Sequence, residues 1–92
     1  MRFGILLDHQ YDRADDVAAR LPELVDLVQT IRDLGFDSVF GIHHYLSNLR
    51  TLQPLQLLAR LVDHTGSMQI GTGIFIVPLT HPVQLAEEIL GL

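Results

Sequence analysis

Three short apolar runs, each followed by a segment of helical periodicity, constrain this chain more than any other feature. The runs are Phe3–Leu7, Val39–Ile42 and Met68–Val77, and their starts lie roughly 30–35 residues apart, the length of a βαβ repeat. Between them, Leu24, Leu27, Val28, Ile31 and Leu34 recur at helical spacing, with Glu23, Asp26, Gln29, Arg32 and Asp33 on the opposite side. Pro22 suits a first helical position and Gly35 a left-handed C-terminal cap, so the spacing predicts a helix over 22–34. A second helix is expected over 54–65, from Pro54 to Gly66, with Leu55, Leu58, Ala59 and Val62 inward. A third is expected over 82–90, opened by Pro82, with Val83, Ala86, Ile89 and Leu90 inward. Strands are expected at 2–7, 38–43 and 68–77, the last interrupted by Gly71 and Gly73. Asp12–Arg20 reads as a loop or a short helix, and Leu46–Gln53 as a connector.

The order β-α-β-α-β-α with right-handed crossovers makes an α/β fold of three parallel, adjacent strands. Runs this continuously apolar suit strands covered on both faces. Three such strands leave two unpaired edges, and a (β/α)₈ TIM-type barrel needs about 250 residues. Residues 1–92 are therefore expected to be one partial barrel domain, its first three βα units, which pairs with further copies as a homo-oligomer or needs the rest of the barrel.

Charge and composition narrow the partners. All six basic residues are arginine and the net charge is −5, so no basic stripe for nucleic acid is present. No apolar run approaches the ~18 residues of a membrane helix. The five apolar residues before Asp8 are too few for a secretory segment, so the expected location is cytoplasmic and no membrane partner is expected. Zero cysteines exclude disulfides, thiolate metal ligands and cysteine nucleophiles.

The chemistry-bearing residues cluster where strands should end. His43, His44 and Tyr45 follow the second strand; Asp8, His9 and Tyr11 follow the first. Active sites of α/β folds lie at the carboxyl ends of the strands, so His9, Tyr11, His43 and Tyr45 are candidate substrate-pocket residues. Neighbours on a strand point to opposite faces, so His43 and His44 both face one cavity only if the strand has already ended. His81 precedes Pro82 and is read as a cap of the third helix. His64 is read as a surface residue, and Phe3, Phe36, Phe40 and Phe75 as core.

Five stretches together resemble the luciferase-like monooxygenase superfamily, which includes bacterial luciferase and flavin- or deazaflavin (F420)-dependent oxidoreductases. They are Arg2-Phe3-Gly4-Ile5, Leu34-Gly35-Phe36-Asp37-Ser38-Val39-Phe40, His43-His44-Tyr45, Ile70-Gly71-Thr72-Gly73-Ile74 and Pro78-Leu79-Thr80-His81-Pro82-Val83-Gln84-Leu85-Ala86-Glu87-Glu88. The resemblance covers the N-terminal third of such a barrel and implies oxidation or reduction of a small organic substrate with FMN or F420. It places His44 near the reactive edge of the flavin as a proton donor, acceptor or polar contact, at a site where His43 stands for a more usual Glu or Gln. It implies a non-proline cis peptide at Gly73–Ile74 backing the middle ring, with Thr72, Gly73 and Ile74 as cofactor-binding residues and no metal.

Two other readings remain. His9, His44 and His81 on one rim permit a metal-dependent barrel hydrolase, although the first strand lacks a His-x-His pair. A truncated barrel that self-assembles without catalysis is the other.

Overall fold

The computed structural model describes all 92 residues. Three strands, β1 (Gly4–Leu6), β3 (Ser38–Gly41) and β5 (Gln69–Thr72), form one sheet in the order β1-β3-β5. Both pairings are parallel: Ile5 lies opposite Val39, and Val39 opposite Ile70. Helix α1 (Val17–Asp33) joins β1 to β3, α2 (Pro54–Leu61) joins β3 to β5, and α3 (Pro82–Leu90) follows β5. The three-unit α/β architecture is thus the expected one. No helix is long and apolar enough to cross a membrane.

The strands are shorter than the apolar runs. They occupy 4–6, 38–41 and 69–72 rather than 2–7, 38–43 and 68–77. The ladder nevertheless extends a residue or two past them, through Asp37 N–H to Phe3, Leu7 N–H to Phe40, and Gly73 N–H to Gly41. The sheet is also covered on one face only. Leu7, Val39, Leu24, Val28, Ile31, Leu57, Leu61 and Met68 make the core between sheet and helices. On the other face Leu6 is 58% exposed and Phe40 37%, so the expectation of two covered faces fails. Phe3 and Phe40 are consequently exposed, not core, whereas Phe36 packs against the core.

Helix α1 begins five residues earlier than expected. Asp16 is its N-cap, its carboxylate accepting from Ala18 and Ala19 N–H, and Pro22 lies inside the helix. Pro22 offers no N–H to the Ala18 carbonyl, one missing bond that the flanking turns tolerate. The far end is as the glycine suggests. Gly35 takes φ +85°, with its N–H on Arg32 and that of Phe36 on Ile31, the paired bonds of a Schellman cap.

Helix α2 buries Leu57, Leu58 and Leu61, so Leu58 alone of the expected stripe is buried; Ala59 is exposed, and Val62–His64 continue as a 3₁₀ turn. His64 is half-buried, not a free surface residue. Its Nδ1 meets Gln29 and its carbonyl accepts from Arg32. Helix α3 has the expected bounds, but its intended inward residues Val83, Ala86, Ile89 and Leu90 are all exposed. One short addition escaped the sequence reading. β2 (Gln10–Tyr11) pairs antiparallel with β4 (Arg50–Thr51), inside the segment read as a connector.

Candidate active site

The parallel sheet brings the ends of β1, β3 and β5 to one rim, and the residues after each strand define it. β3 ends at Gly41, so His43 and His44 lie beyond the strand, yet they still diverge. His43 is 3% exposed, whereas His44 is exposed to solvent.

His44 is held from two directions. The side-chain amide of Gln10 donates to its Nδ1 at 2.8 Å, and that of Gln53 donates to its backbone carbonyl at 3.3 Å. An amide nitrogen can only donate, so Nδ1 accepts and a neutral ring carries its proton on Nε2. The same Gln10 nitrogen lies 3.2 Å from Thr51 Oγ1, which ties the contact to the β2–β4 pair. Gln10, Thr51 and Gln53 are the site residues that the sequence reading missed.

His9 and His43, both assigned to the substrate pocket, are buried at the rim. His9 is 0% exposed, and its Nε2 accepts Ile42 N–H at 2.8 Å. His43 Nδ1 accepts Ile76 N–H at 3.0 Å, and its ring packs at a tilt against those of Tyr45 and Phe75, with centroids 4.6 and 4.4 Å away. His43 does line a small cavity of about 130 Å³, shared with Gln53, Thr80 and Gln84 at the α2 and α3 ends. Burial pushes the pKa of both imidazoles down from the ordinary histidine value, more than nearby groups oppose it. Asp8 partly counteracts the effect at His9 and Gln53 at His43, while the charge of His44 adds to it at both.

Tyr11 is half-buried and packs against the core, and burial raises its phenol pKa with help from the charge of Asp8. It is therefore a proton-bearing donor at neutral pH. Tyr45 is 46% exposed beside His43. Asp8 accepts from Gln10 N–H at 3.1 Å, a local turn contact.

Along β5, glycine makes room for the side chains of its neighbours. Gly71 lies opposite Phe40, which lies opposite Leu6. A Cβ on Gly71 would come within 2.8 Å of the Phe40 ring, and one on Gly73 would lie 3.5 Å from Leu6. Phe40, Leu6, Gly71 and Gly73 thus make a flat apolar floor on the open face. The Gly73–Ile74 peptide is cis, and Ile74 is 73% exposed. Thr72 departs from its assigned place. It lines a groove of about 430 Å³ with Leu55, Leu58, Leu85 and Ile89, on the helix side of the sheet.

His9, His44 and His81 do not converge on a metal. His81 Nδ1 accepts Val83 N–H at 3.3 Å and caps α3, while His9 and His44 have their own partners. No group of three or more His, Asp or Glu side chains is placed to hold a metal ion.

A family profile described as luciferase-like monooxygenase matches residues 1–92, the whole chain. The chain belongs to the luciferase-like monooxygenase family. It is 30% identical over 91 residues to the alkanal monooxygenase alpha chain of a Kryptophanaron alfredi symbiont, covering 97% of this chain and 25% of that protein. Identity to the oxygenase component of the flavin-dependent trigonelline monooxygenase of Acinetobacter baylyi is 27% over 90 residues, with 96% and 25% covered. The crystal structure of apo-MsnO8 superposes with a TM-score of 0.81 at 19% identity, over 95% of this chain and 26% of that one. The chain therefore spans about a quarter of the length of the family relatives it matches. The fold is that of the first three βα units of a luciferase-like TIM-type barrel.

Proposed function

We propose that this chain forms one wall of a flavin-dependent oxidoreductase or monooxygenase that acts on a small organic substrate with FMN or F420. The observation that carries the reading is what the rim holds: an exposed, doubly anchored His44 beyond β3, and on β5 a Gly73 without a side chain after a Gly71 that makes room for the Phe40 ring. A planar ring fits such a floor, because it is made of Phe40 and Leu6 and Gly73 projects nothing above it. The relatives named alkanal monooxygenase and flavin-dependent trigonelline monooxygenase support the same class.

In this reading the flavin, when bound, supplies the redox chemistry. Gly73 and Ile74 lie against the ring, and Phe40 and Leu6 exclude water beneath it. His44 holds or moves a proton at Nε2, because Gln10 occupies Nδ1. Tyr45 stands at the pocket mouth. The edges of β1 and β5 and the exposed apolar floor pair with further βα units or with second copies. Titration with FMN and with F420, followed by flavin fluorescence, tests the proposal in a complete barrel carrying this chain. Saturable quenching by one cofactor is expected, and no binding of either overturns the reading.

The open edges and the absence of any buried residue in α3 favour a second reading, a self-assembling barrel piece without catalysis. Light scattering combined with the same titration separates the two. A large oligomer that holds no flavin fits only the second.

A further inference from the structure

His9 and His43 occupy matching places in consecutive βα units. Each follows the end of its strand, each is at most 3% exposed, and each accepts a backbone N–H from the residue 33 positions further on. The donors, Ile42 and Ile76, lie past the ends of β3 and β5, where no sheet ladder is left to take their N–H groups. Both donors are part-buried, and leaving such a donor unpaired is costly, so an acceptor is favoured.

We infer that His9 and His43 are equivalent positioning residues, one per βα unit, which tie each strand's exit loop to that of the next unit and so set the rim on which His44 and residues 73–76 stand. His9 fixes Ile42, two residues before His44. His43 fixes Ile76, two residues beyond the Gly73–Ile74 peptide. The consequence for residues 73–76 rests on the flavin reading; the tie between exit loops does not.

A neutral imidazole does this as a flat, stiff acceptor that also fills apolar space, with its second nitrogen, Nδ1 of His9 and Nε2 of His43, buried without a partner. The two rings use opposite nitrogens. His9 accepts at Nε2, which leaves its proton on Nδ1, and His43 accepts at Nδ1, which leaves its proton on Nε2. That difference separates an acceptor role from mere space-filling. The Asn side-chain oxygen falls near the place of Nδ1, and the Gln oxygen near that of Nε2.

The test begins with the unaltered protein. Long-range ¹H–¹⁵N spectra at neutral pH are expected to show opposite tautomers, Nδ1–H for His9 and Nε2–H for His43. The same tautomer in both rings would overturn the inference. Amide exchange then reads the variants. His43→Asn is expected to keep the Ile76 amide protected, whereas His43→Gln and His43→Leu speed its exchange roughly five- to tenfold. At position 9 the preference reverses, with His9→Gln protecting the Ile42 amide and His9→Asn and His9→Leu failing to do so. Leucine protecting as well as the better amide at both positions would reduce the pair to core filling and overturn the inference. Flavin binding enters none of these readouts, so their failure is distinct from failure of the proposed function.

Discussion

The side-chain amide of Gln10 donates to His44 Nδ1 across 2.8 Å, joining the loops that follow the first two strands of the sheet. The contact fixes both the tautomer and the orientation of the exposed His44 imidazole. With Nδ1 occupied, Nε2 is the His44 nitrogen left for proton chemistry.

Gln10→Glu replaces that donor with an acceptor, so a neutral His44 keeps the contact only by carrying its proton on Nδ1. Long-range ¹H–¹⁵N spectra of the neutral ring are expected to show the proton moved from Nε2 to Nδ1. A proton that stays on Nε2 in the variant would contradict the contact.

Stability should fall on the acid side of neutrality. Burial lowers the pKa of His9 and His43 in the folded state below the unfolded value of about 6.5. The unfolded chain therefore binds protons first as pH drops, and stability rises with pH wherever it holds more of them. The contribution is fully present above about pH 6.5 and is lost below it, by up to about 1.4 kcal/mol per pH unit per ring. Asp8 and His44 beside His9, and His44, Tyr45 and Glu88 around His43, are the other ionisable groups near these rings. Urea midpoints between pH 7.5 and 5 should fall, and His43→Asn should shallow the slope. A flat profile would contradict the assignment.

The two glycines of the floor should answer differently to a methyl group. A Cβ on Gly71 would press within 2.8 Å of Phe40, so Gly71→Ala is expected to cost about 1–2 kcal/mol in denaturant unfolding. A Cβ on Gly73 meets Leu6 and Phe40 at 3.5 and 3.8 Å, ordinary contact, so Gly73→Ala should stay within about 0.5 kcal/mol. A loss of flavin affinity in Gly73→Val with an unchanged unfolding midpoint would place the ring against that residue. Equal destabilisation by the two alanine variants would contradict the geometry.

The strand-helix order, the parallel pairing and the Gly35 cap were legible because glycine, proline and apolar period mark them locally. The start of α1 was not. Asp16 caps it within a run of charges that looks like loop, and a helix carrying Pro22 inside looks as though it begins there. In α2 the dense leucines support two overlapping stripes, and only packing selects Leu57 and Leu61 over Leu55 and Ala59. The helical spacing of α3 was real, but none of its residues is buried, and Leu85 and Ile89 only line an open groove shared with α2. At the site, His44 could be placed at the rim from its position after a strand. The fates of His9 and His43 depend on backbone donors 33 residues away, which periodicity does not reveal. The recurrence of histidine after consecutive strands was the signal available.

The most direct test of the account is His44→Ala in a complete barrel carrying this chain, with flavin affinity and turnover measured on the same sample. The account predicts turnover reduced by about 10²–10⁴-fold while the flavin Kd stays close to that of the unaltered protein. Unchanged turnover with flavin bound would contradict it.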